Sequence, residues 1–198
     1  MKKILIIGDT VSPYHPLNCV FPLSKLLSES KLTFTNDYDF FTKLTDYDLL
    51  IGFVDAWFKE LEADQANALL SYLDNGGKIL SIHTGMSIQA TEALAPVHGA
   101  KFIDHPPYCS LTINLKQGHP LTEGIGDFTI NDEPYQFEVY DELDIFASYE
   151  YEGTVIPAAW RKNIGQGELV YLMPGHDEAV FENEEYLKLI KKCVEYLI

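Results

Sequence analysis

The sequence predicts an α/β fold with a doubly wound, mostly parallel sheet and a strand-rich excursion in its second half. Two observations support this class. The first half alternates continuous apolar runs with amphipathic segments, whereas the second half consists of short strand-like segments separated by turn residues. No internal repeat, low-complexity tract or linker interrupts the 198 residues, so we expect a single domain over 1–198.

Continuous apolar runs are typical of parallel strands that are buried on both faces. In the first half they predict strands at 3–8, 32–35 and 48–54, followed by a strand that ends at Ile82. Helical spacing of apolar residues predicts helices between these strands, at 18–30, 60–74 and about 87–94. The helix at 60–74 has the clearest apolar stripe, and Asn75, Gly76 and Gly77 end it.

The second half is predicted to be mainly β-structure with a closing helix. Strand-like segments occur at 110–116, 128–131, 135–139, 145–151, 155–161 and 168–173. A glycine-containing stretch at 163–167 predicts a hairpin tip between the last two strands. The amphipathic segment at 184–197 predicts a final helix with one apolar stripe.

Composition limits the partners that this chain can bind. Hydrophobic residues make up 46% and charged residues 22%, as in soluble globular proteins. The net charge of −16 argues against binding to nucleic acid or to an anionic membrane surface. We therefore expect a small-molecule substrate, while the sequence leaves open whether the chain forms a homo-oligomer.

The cysteines and the apolar runs indicate a cytoplasmic protein. Three cysteines, Cys19, Cys109 and Cys193, are odd in number and form no CxxC pattern, which favours a reducing compartment. No apolar stretch is long enough to cross a bilayer. The short apolar run at the N-terminus is followed at once by Asp9, so it is interpreted as the first sheet strand rather than a signal peptide.

The segment GKILSIHTGM at 77–86 is the most informative part of the chain. It predicts a buried strand that runs into a tight turn with His83 at the strand end, and Gly85 allows the chain to reverse. Turns of this kind hold a side chain at the carboxyl edge of an α/β sheet. The turn resembles the elbow of class I glutamine amidotransferases, in which a nucleophilic cysteine stands where this chain has His83. Because imidazole cannot form the required thioester, we predict no amidotransferase activity.

A second histidine follows a late strand in the segment PGHDE at 174–178. The resemblance to class I amidotransferases extends to this turn, where His176 and Glu178 match the spacing of that family's base and its orienting carboxylate. Imidazole is both a general acid or base and a common metal ligand. We therefore predict that His83 and His176 lie together at the sheet edge as a catalytic acid–base pair, with Glu178 orienting His176.

Longer blocks resemble the ThuA-like (trehalose utilisation) family. They are GHPLTEGI at 118–125, Phe128, NDEPYQFE at 131–138, PAAW at 157–160 and GQG at 165–167, together with the elbow and the late Pro-Gly-His turn. The blocks occur in the family's order from the elbow to Glu178. This resemblance implies a flavodoxin-like, class I glutamine amidotransferase-like fold and a link to sugar metabolism.

Four further residues are predicted to contact the substrate. Glu133 and Tyr135 would share one face of a strand, offering a carboxylate and an aromatic ring that can stack on a sugar. His15 and Trp57 lie in the segments after the first and third strands, which reach the same sheet edge. We expect these four side chains to line one pocket with His83 and His176.

Acid–base chemistry on a sugar or an oxidised sugar is the function that the sequence favours, as in an isomerase, lyase or hydrolase. The cofactor stays open. One alternative is a divalent metal such as Zn²⁺ held by His15, His83, His176 and a carboxylate, although no HExxH spacing supports it. The other is a non-catalytic sugar-binding or regulatory module on a degenerate amidotransferase fold.

Overall fold

Eleven strands occur among the residues that the computed structural model describes, which are 1–10, 12–57 and 59–198. In chain order they are β1 (Lys3–Gly8), β2 (Lys31–Thr35), β3 (Leu49–Phe53), β4 (Lys78–Ile82), β5 (Ala100–Asp104), β6 (Cys109–Leu115), β7 (Phe128–Asp132), β8 (Gln136–Val139), β9 (Asp144–Tyr151), β10 (Thr154–Ile164) and β11 (Gly167–Leu172). The α-helices are α1 (Leu23–Leu26), α2 (Ala63–Asp74) and α3 (Glu184–Leu197). Short 3-10 helices cover Leu17–Val20, Tyr38–Asp46, His83–Ala90, Glu92–Leu94 and Glu178–Glu182.

Nine of the described strands form one sheet, in the order β2-β1-β3-β4-β11-β10-β9-β6-β7. The first five are parallel to one another, and their order corresponds to the flavodoxin-like arrangement 2-1-3-4-5. The other four continue the same sheet with antiparallel pairings. The predicted doubly wound α/β fold is therefore confirmed, and most of the strand-rich second half extends the main sheet.

Burial explains why the parallel half could be predicted from apolar runs. β3 is buried at every residue, and β1 at every residue after Lys3. The neighbouring strand β11 is likewise buried throughout, since it lies between β4 and β10. Strands in this position bury both faces, so their sequences show no alternation.

The helices differ most from the prediction. The helix expected at 18–30 is a 3-10 turn followed by the single-turn helix α1, because Pro22 lacks an N–H donor and is accommodated only at the N-cap of α1. The helix expected at about 87–94 is replaced by two 3-10 helices. The 3-10 helix Tyr38–Asp46 and strand β5 were not predicted, and β5 pairs with β8 in a separate two-stranded sheet.

The predicted elbow forms directly after β4, but the unusual backbone belongs to His83 itself. Its φ of 45° lies in the left-handed region that non-glycine residues rarely adopt. Gly85 has a different role, since a Cβ there would lie 2.3 Å from the carbonyl oxygen of Gly52. Gly175 approaches the elbow from β11, and its Cβ would lie 2.8 Å from that of His83. Close backbone approach therefore fixes the histidine at the sheet edge.

Among the described residues, no helix is both long and apolar enough to span a membrane.

His98 is a fully buried histidine that should make the fold sensitive to acid. Its Nε2 lies 2.8 Å from the hydroxyl of Ser81, and burial lowers its pKa from 6.5 to about 3, assisted by the charge of Lys162. Because the unfolded chain takes up the proton near pH 6.5, the stability that neutral His98 contributes is lost as the pH falls below that value. This residue should lower the free energy of unfolding by ~2 kcal/mol between pH 8 and pH 5.

Urea denaturation of His98→Gln at both pH values tests this prediction. Glutamine keeps an amide near the Ser81 hydroxyl and does not titrate, so the variant should lose correspondingly less stability on acidification than the parent protein. His119→Gln is the control, because it removes an imidazole from a different network, beside Asp144. Equal acid sensitivity in the parent and in His98→Gln would contradict the prediction.

Candidate functional site

Three imidazoles and one carboxylate meet at the carboxyl edge of the sheet. Nε2 of His15, Nε2 of His83, Nδ1 of His176 and Oε2 of Glu133 are the converging atoms, and one ligand atom from each residue lies within 4.8 Å of the others. We refer to these four residues as the His/Glu centre. Their convergence defines the candidate site.

Sheet topology explains why four distant segments meet there. His15 follows β1, His83 follows β4 and His176 follows β11, and these strands are parallel. Glu133 follows β7, which is reached from β11 through four antiparallel pairings and so runs in the same direction as β11. All four strands therefore end at the same edge of the sheet, the carboxyl edge at which open α/β sheets bind ligands.

His15 is held by a buried carboxylate. Its Nδ1 donates to Oδ2 of Asp55 over 3.2 Å, and the hydroxyl of Ser12 donates to the same oxygen over 2.7 Å. Its Nε2 lies 3.2 Å from Nδ1 of His176. Burial opposes the charged form of His15, but the carboxylates of Asp55 and Glu133 outweigh burial and raise its pKa to about 9.

His83 is fully buried, and its tautomer is fixed by the backbone. Nδ1 donates to the carbonyl oxygen of Met173 over 2.7 Å, so in the neutral ring Nε2 carries a free lone pair. Nε2 faces Oε2 of Glu133 at 3.5 Å. Burial lowers the pKa of His83, which keeps the ring neutral against the opposing effects of Asp132 and Glu133.

Glu133 lies among the three histidines. Its Oε2 is 3.2 Å from Nδ1 of His176 and 3.8 Å from Nε2 of His15. Its Oε1 is 3.6 Å from Nδ1 of His105. Burial by itself would raise the pKa of this carboxyl, but the surrounding imidazoles outweigh burial and hold the pKa well below its usual range. Glu133 therefore carries a negative charge into the centre.

Asp132 holds the backbone of the His/Glu centre in place but is not one of its four residues. It is fully buried at the end of β7, where Oδ1 accepts from the amide of Glu133 over 2.7 Å. Oδ2 accepts from the amide of Gly175 over 2.8 Å and from that of His176 over 3.5 Å. One carboxylate thus joins the segment that carries Glu133 to the turn that carries His176.

A cleft of about 640 Å³ opens beside the His/Glu centre. His15, Asp55 and Glu133 contribute its polar wall. Its aromatic wall includes Trp57, 42% exposed, whose ring lies 5.7 Å from that of Phe102. The ring of Tyr135 lies 4.3 Å from that of His83 and connects the aromatic wall to the centre. An apolar wall facing polar groups suits a small polar molecule with a hydrophobic face.

The structure brings together most of the residues that the sequence singled out. The rings of His83 and His176 lie 5.8 Å apart, and His15 and Glu133 join them. His15, Glu133, Tyr135 and Trp57 line the cleft as expected, whereas His83 and His176 lie behind them and are not among its lining residues. Glu133 and Tyr135, however, do not share a strand face: they lie in the turn between β7 and β8, where the amide of Tyr135 donates to the carbonyl of Glu133.

Glu178 does not occupy the predicted position beside His176. It is exposed at the start of a 3-10 helix, and the described polar partners of the His176 ring are His15 and Glu133. The extended conformation of Asp177, which caps that helix, separates residue 178 from the histidine. The predicted orienting role is therefore not supported by the geometry.

The sequence analysis missed two residues of the candidate site. His105 was not among the predicted site residues, yet it lines the cleft and faces Glu133. Asp132 was overlooked beside Glu133, although a signal for it existed. Phe128, Ile130 and Asp132 alternate along β7, which places the carboxylate on the buried face.

The three cysteines are unpaired and do not form part of the His/Glu centre. Cys19 and Cys193 are buried, and burial raises the pKa of both thiols, which disfavours the reactive thiolate. Replacing all three by alanine should therefore leave ligand binding and any turnover unchanged in protein that still folds. Loss of turnover at an unchanged free energy of unfolding would show that a thiol acts in the reaction.

Comparison with known proteins points to one family. The ThuA family model, described as trehalose utilisation, matches residues 17–197. A ThuA-like protein from Bacteroides uniformis superposes with a TM-score of 0.81 at 16% identity, over 100% of this chain and 91% of that one. A ThuA-like protein from Parabacteroides merdae also gives 0.81, at 14% identity over 98% and 89%.

A larger enzyme shows a more distant structural similarity to this chain. A β-galactosidase from Bacillus circulans sp. alkalophilus superposes with a TM-score of 0.69 at 14% identity, over 98% of this chain but only 31% of that one. Similarities at sequence identities this low indicate a shared fold and nothing about function. No curated protein sequence matches this chain significantly.

Proposed function

The chain belongs to the ThuA (trehalose utilisation) family, and we propose that it acts by acid–base chemistry on a small carbohydrate-like substrate bound in the cleft. Family membership supports a role related to sugar metabolism. The convergence of His15, His83, His176 and Glu133 beside an aromatic wall carries the chemical part of the proposal. These groups supply proton donors and acceptors within a few ångströms of one another, as transfer between neighbouring substrate atoms requires.

The elbow favours reactions that need no covalent intermediate. His83 takes the position that a nucleophile would occupy, and its Nδ1 is committed to the carbonyl of Met173. Glutamine amidotransfer is therefore not proposed. A carbon-bound hydrogen next to a carbonyl is acidic enough for direct removal by a side-chain base, so isomerisation or elimination on an oxidised sugar suits this centre best.

The cleft supports a sugar-like substrate. Trp57 and Phe102 offer adjacent rings on which the C–H face of a pyranose can pack. The carboxylates of Asp55 and Glu133 can accept hydrogen bonds from its hydroxyl groups. In this arrangement the sugar ring would lie against the aromatic wall while its reactive carbon faces the His/Glu centre.

Hydrogen exchange in D₂O tests the proposal. The protein is incubated with sugars that carry a ring carbonyl and with their unoxidised parents, and proton NMR follows the hydrogen next to the carbonyl. We expect protein-dependent exchange or elimination with the oxidised sugars only, and a fall of about 10²–10⁴ in rate for His83→Asn. Asparagine is chosen because it tolerates the left-handed backbone at this position.

His119→Asn is the matched control, because His119 is also buried but contacts Asp144 outside the centre. Equal rates in both variants would contradict the proposal. Binding of the sugars without any exchange would favour the second candidate, a non-catalytic binding module. The exposed position of Glu178 favours that candidate, since a centre for catalysis was expected to retain an oriented base at the late turn.

We place this function in the cytoplasm. The unpaired state of Cys19, Cys109 and Cys193 supports a reducing compartment. The net charge of −16 supports a small-molecule partner over nucleic acid or an anionic membrane.

A further inference from the structure

We infer that the His/Glu centre is a binding site for one divalent transition-metal ion of the zinc class. The ligands are Nε2 of His15, Nε2 of His83, Nδ1 of His176 and Oε2 of Glu133. This inference rests on geometry and donor chemistry. It is independent of the proposed function, because a protein that turns over no sugar can still bind an ion.

Unpartnered buried atoms are the first observation. His83 Nε2 and Glu133 Oε2 are buried and make no hydrogen bond with any described residue, although they lie only 3.5 Å apart. A buried polar atom without a partner costs about 1–3 kcal/mol, so native proteins rarely leave one unexplained. The two atoms are close to each other but are not aligned for a hydrogen bond. This is the arrangement expected when both side chains point at an ion that lies between them.

The distances agree with a shared ion. Ligand atoms at about 2.0–2.1 Å from a tetrahedral zinc ion lie roughly 3.4 Å from one another. Three separations are close to that value: 3.2 Å from His15 to His176, 3.2 Å from Glu133 to His176 and 3.5 Å from Glu133 to His83. The separation of 3.8 Å between His15 and Glu133 needs only a small adjustment.

Outer partners hold the ligands in the way that metal-binding histidines are usually held. His15 donates its other ring nitrogen to Asp55, and His83 donates its other ring nitrogen to the carbonyl of Met173. Both rings thereby present Nε2 to the centre. The second oxygen of Glu133 faces His105. Each of these contacts turns one ligand atom inward, and the ion would take the place of any proton that the inward nitrogen carries.

The donor set selects the class of ion. Three imidazole nitrogens and one carboxylate oxygen suit Zn²⁺ and similar transition metals, whereas Mg²⁺ and Ca²⁺ prefer oxygen ligands. The carboxylates of Glu133, Asp55 and Asp132 surround the three rings, so the local charge also favours a cation. A bound ion would polarise a sugar hydroxyl or carbonyl oxygen at the cleft.

Direct binding measurements test the inference without any substrate. The full-length protein is stripped with a chelator, desalted and titrated with Zn²⁺ by calorimetry, and Co²⁺ is added separately to record its visible spectrum. We expect one ion per chain with an affinity at or below the micromolar range, and Co²⁺ bands typical of four-coordinate nitrogen and oxygen ligation. The His83→Asn variant should bind at least 100-fold more weakly.

Two further variants keep the inference falsifiable if His83→Asn fails to fold. Asp55→Asn removes the negative charge of the outer partner of His15 and leaves all four ligands in place, and it should weaken binding by about 10- to 100-fold. His119→Ala removes a buried imidazole outside the centre, and it should bind as the parent does. Absence of binding to folded parent protein, or equal affinity in the parent, His83→Asn and Asp55→Asn, would overturn the metal site. Neither result would decide the sugar-exchange experiment.

Discussion

Replacing Glu133 by glutamine is expected to produce the largest functional loss of any single change that keeps side-chain shape. The carboxylate faces His15, His83 and His176 through one oxygen, and an amide removes its negative charge. If a sugar-like ligand is held by a charged hydrogen bond here, its binding should weaken by ~1–3 kcal/mol. The hydrogen-exchange rate should fall by about 10²–10⁴.

Glu138→Gln provides the matched control for this change. Glu138 lies on β8, close in sequence to Glu133, but its side chain is exposed and lies outside the cleft lining. Calorimetric titration and exchange rates should therefore be the same for Glu138→Gln and the parent. If Glu133→Gln binds the sugar and exchanges hydrogen as the parent protein does, the segment that carries Glu133 has only a structural role.

The parallel half of the fold was predicted well because strands that are buried on both faces appear in the sequence as continuous apolar runs. Strands β1 and β3 are covered on both faces, so every position after Lys3 is an apolar residue or glycine and the pairing partner need not be known. The elbow was predicted from the same kind of apolar run, because a buried strand that ends just before His83 places that residue at the sheet edge. His83 and His176 were therefore found as a pair from two independent strand ends.

The remaining features depend on contacts that local patterns do not encode. β5 has a mixed burial pattern and pairs with β8, about 35 residues away, so its sequence shows no clear hydrophobic period. The pairing of His15 with Asp55 joins loops after different strands. Glu178 was misplaced because matching the spacing of another family assumed a backbone path that the cap at Asp177 does not follow.

The sequence analysis assigned a role to Glu133 but none to the neighbouring Asp132. Both residues lie in the segment NDEPYQFE, and residue type alone does not tell which carboxylate faces the cleft. Alternation along β7 instead places Asp132 inside, where it orders the backbone on which Glu133 and His176 are mounted. In the proposed function Glu133 supplies the charge that contacts the substrate, whereas Asp132 holds the backbone of the site in place.

Replacing Asp132 by asparagine should accordingly destabilise the protein by about 2–3 kcal/mol, the upper part of the range for a buried backbone donor that loses its acceptor. Oδ1 accepts from the amide of Glu133 and Oδ2 from that of Gly175, so either orientation of an asparagine sets its NH₂ group against a backbone N–H. At least one buried donor then loses its acceptor. Urea denaturation at pH 7 measures the loss, and sugar and Zn²⁺ titrations of the folded fraction report on the site.

Asp127→Asn is a sharp control for the Asp132 prediction because it makes the same chemical change at an exposed position. Asp127 accepts the amide of Leu115 over 2.7 Å through Oδ1. Asparagine can keep that bond and turn its NH₂ group to water, so this variant should lose no more than about 1 kcal/mol. A similar loss in both variants would mean that the two backbone amides do not depend on the Asp132 carboxylate. The turn carrying His176 would then be held chiefly by the close packing of Gly175 against His83.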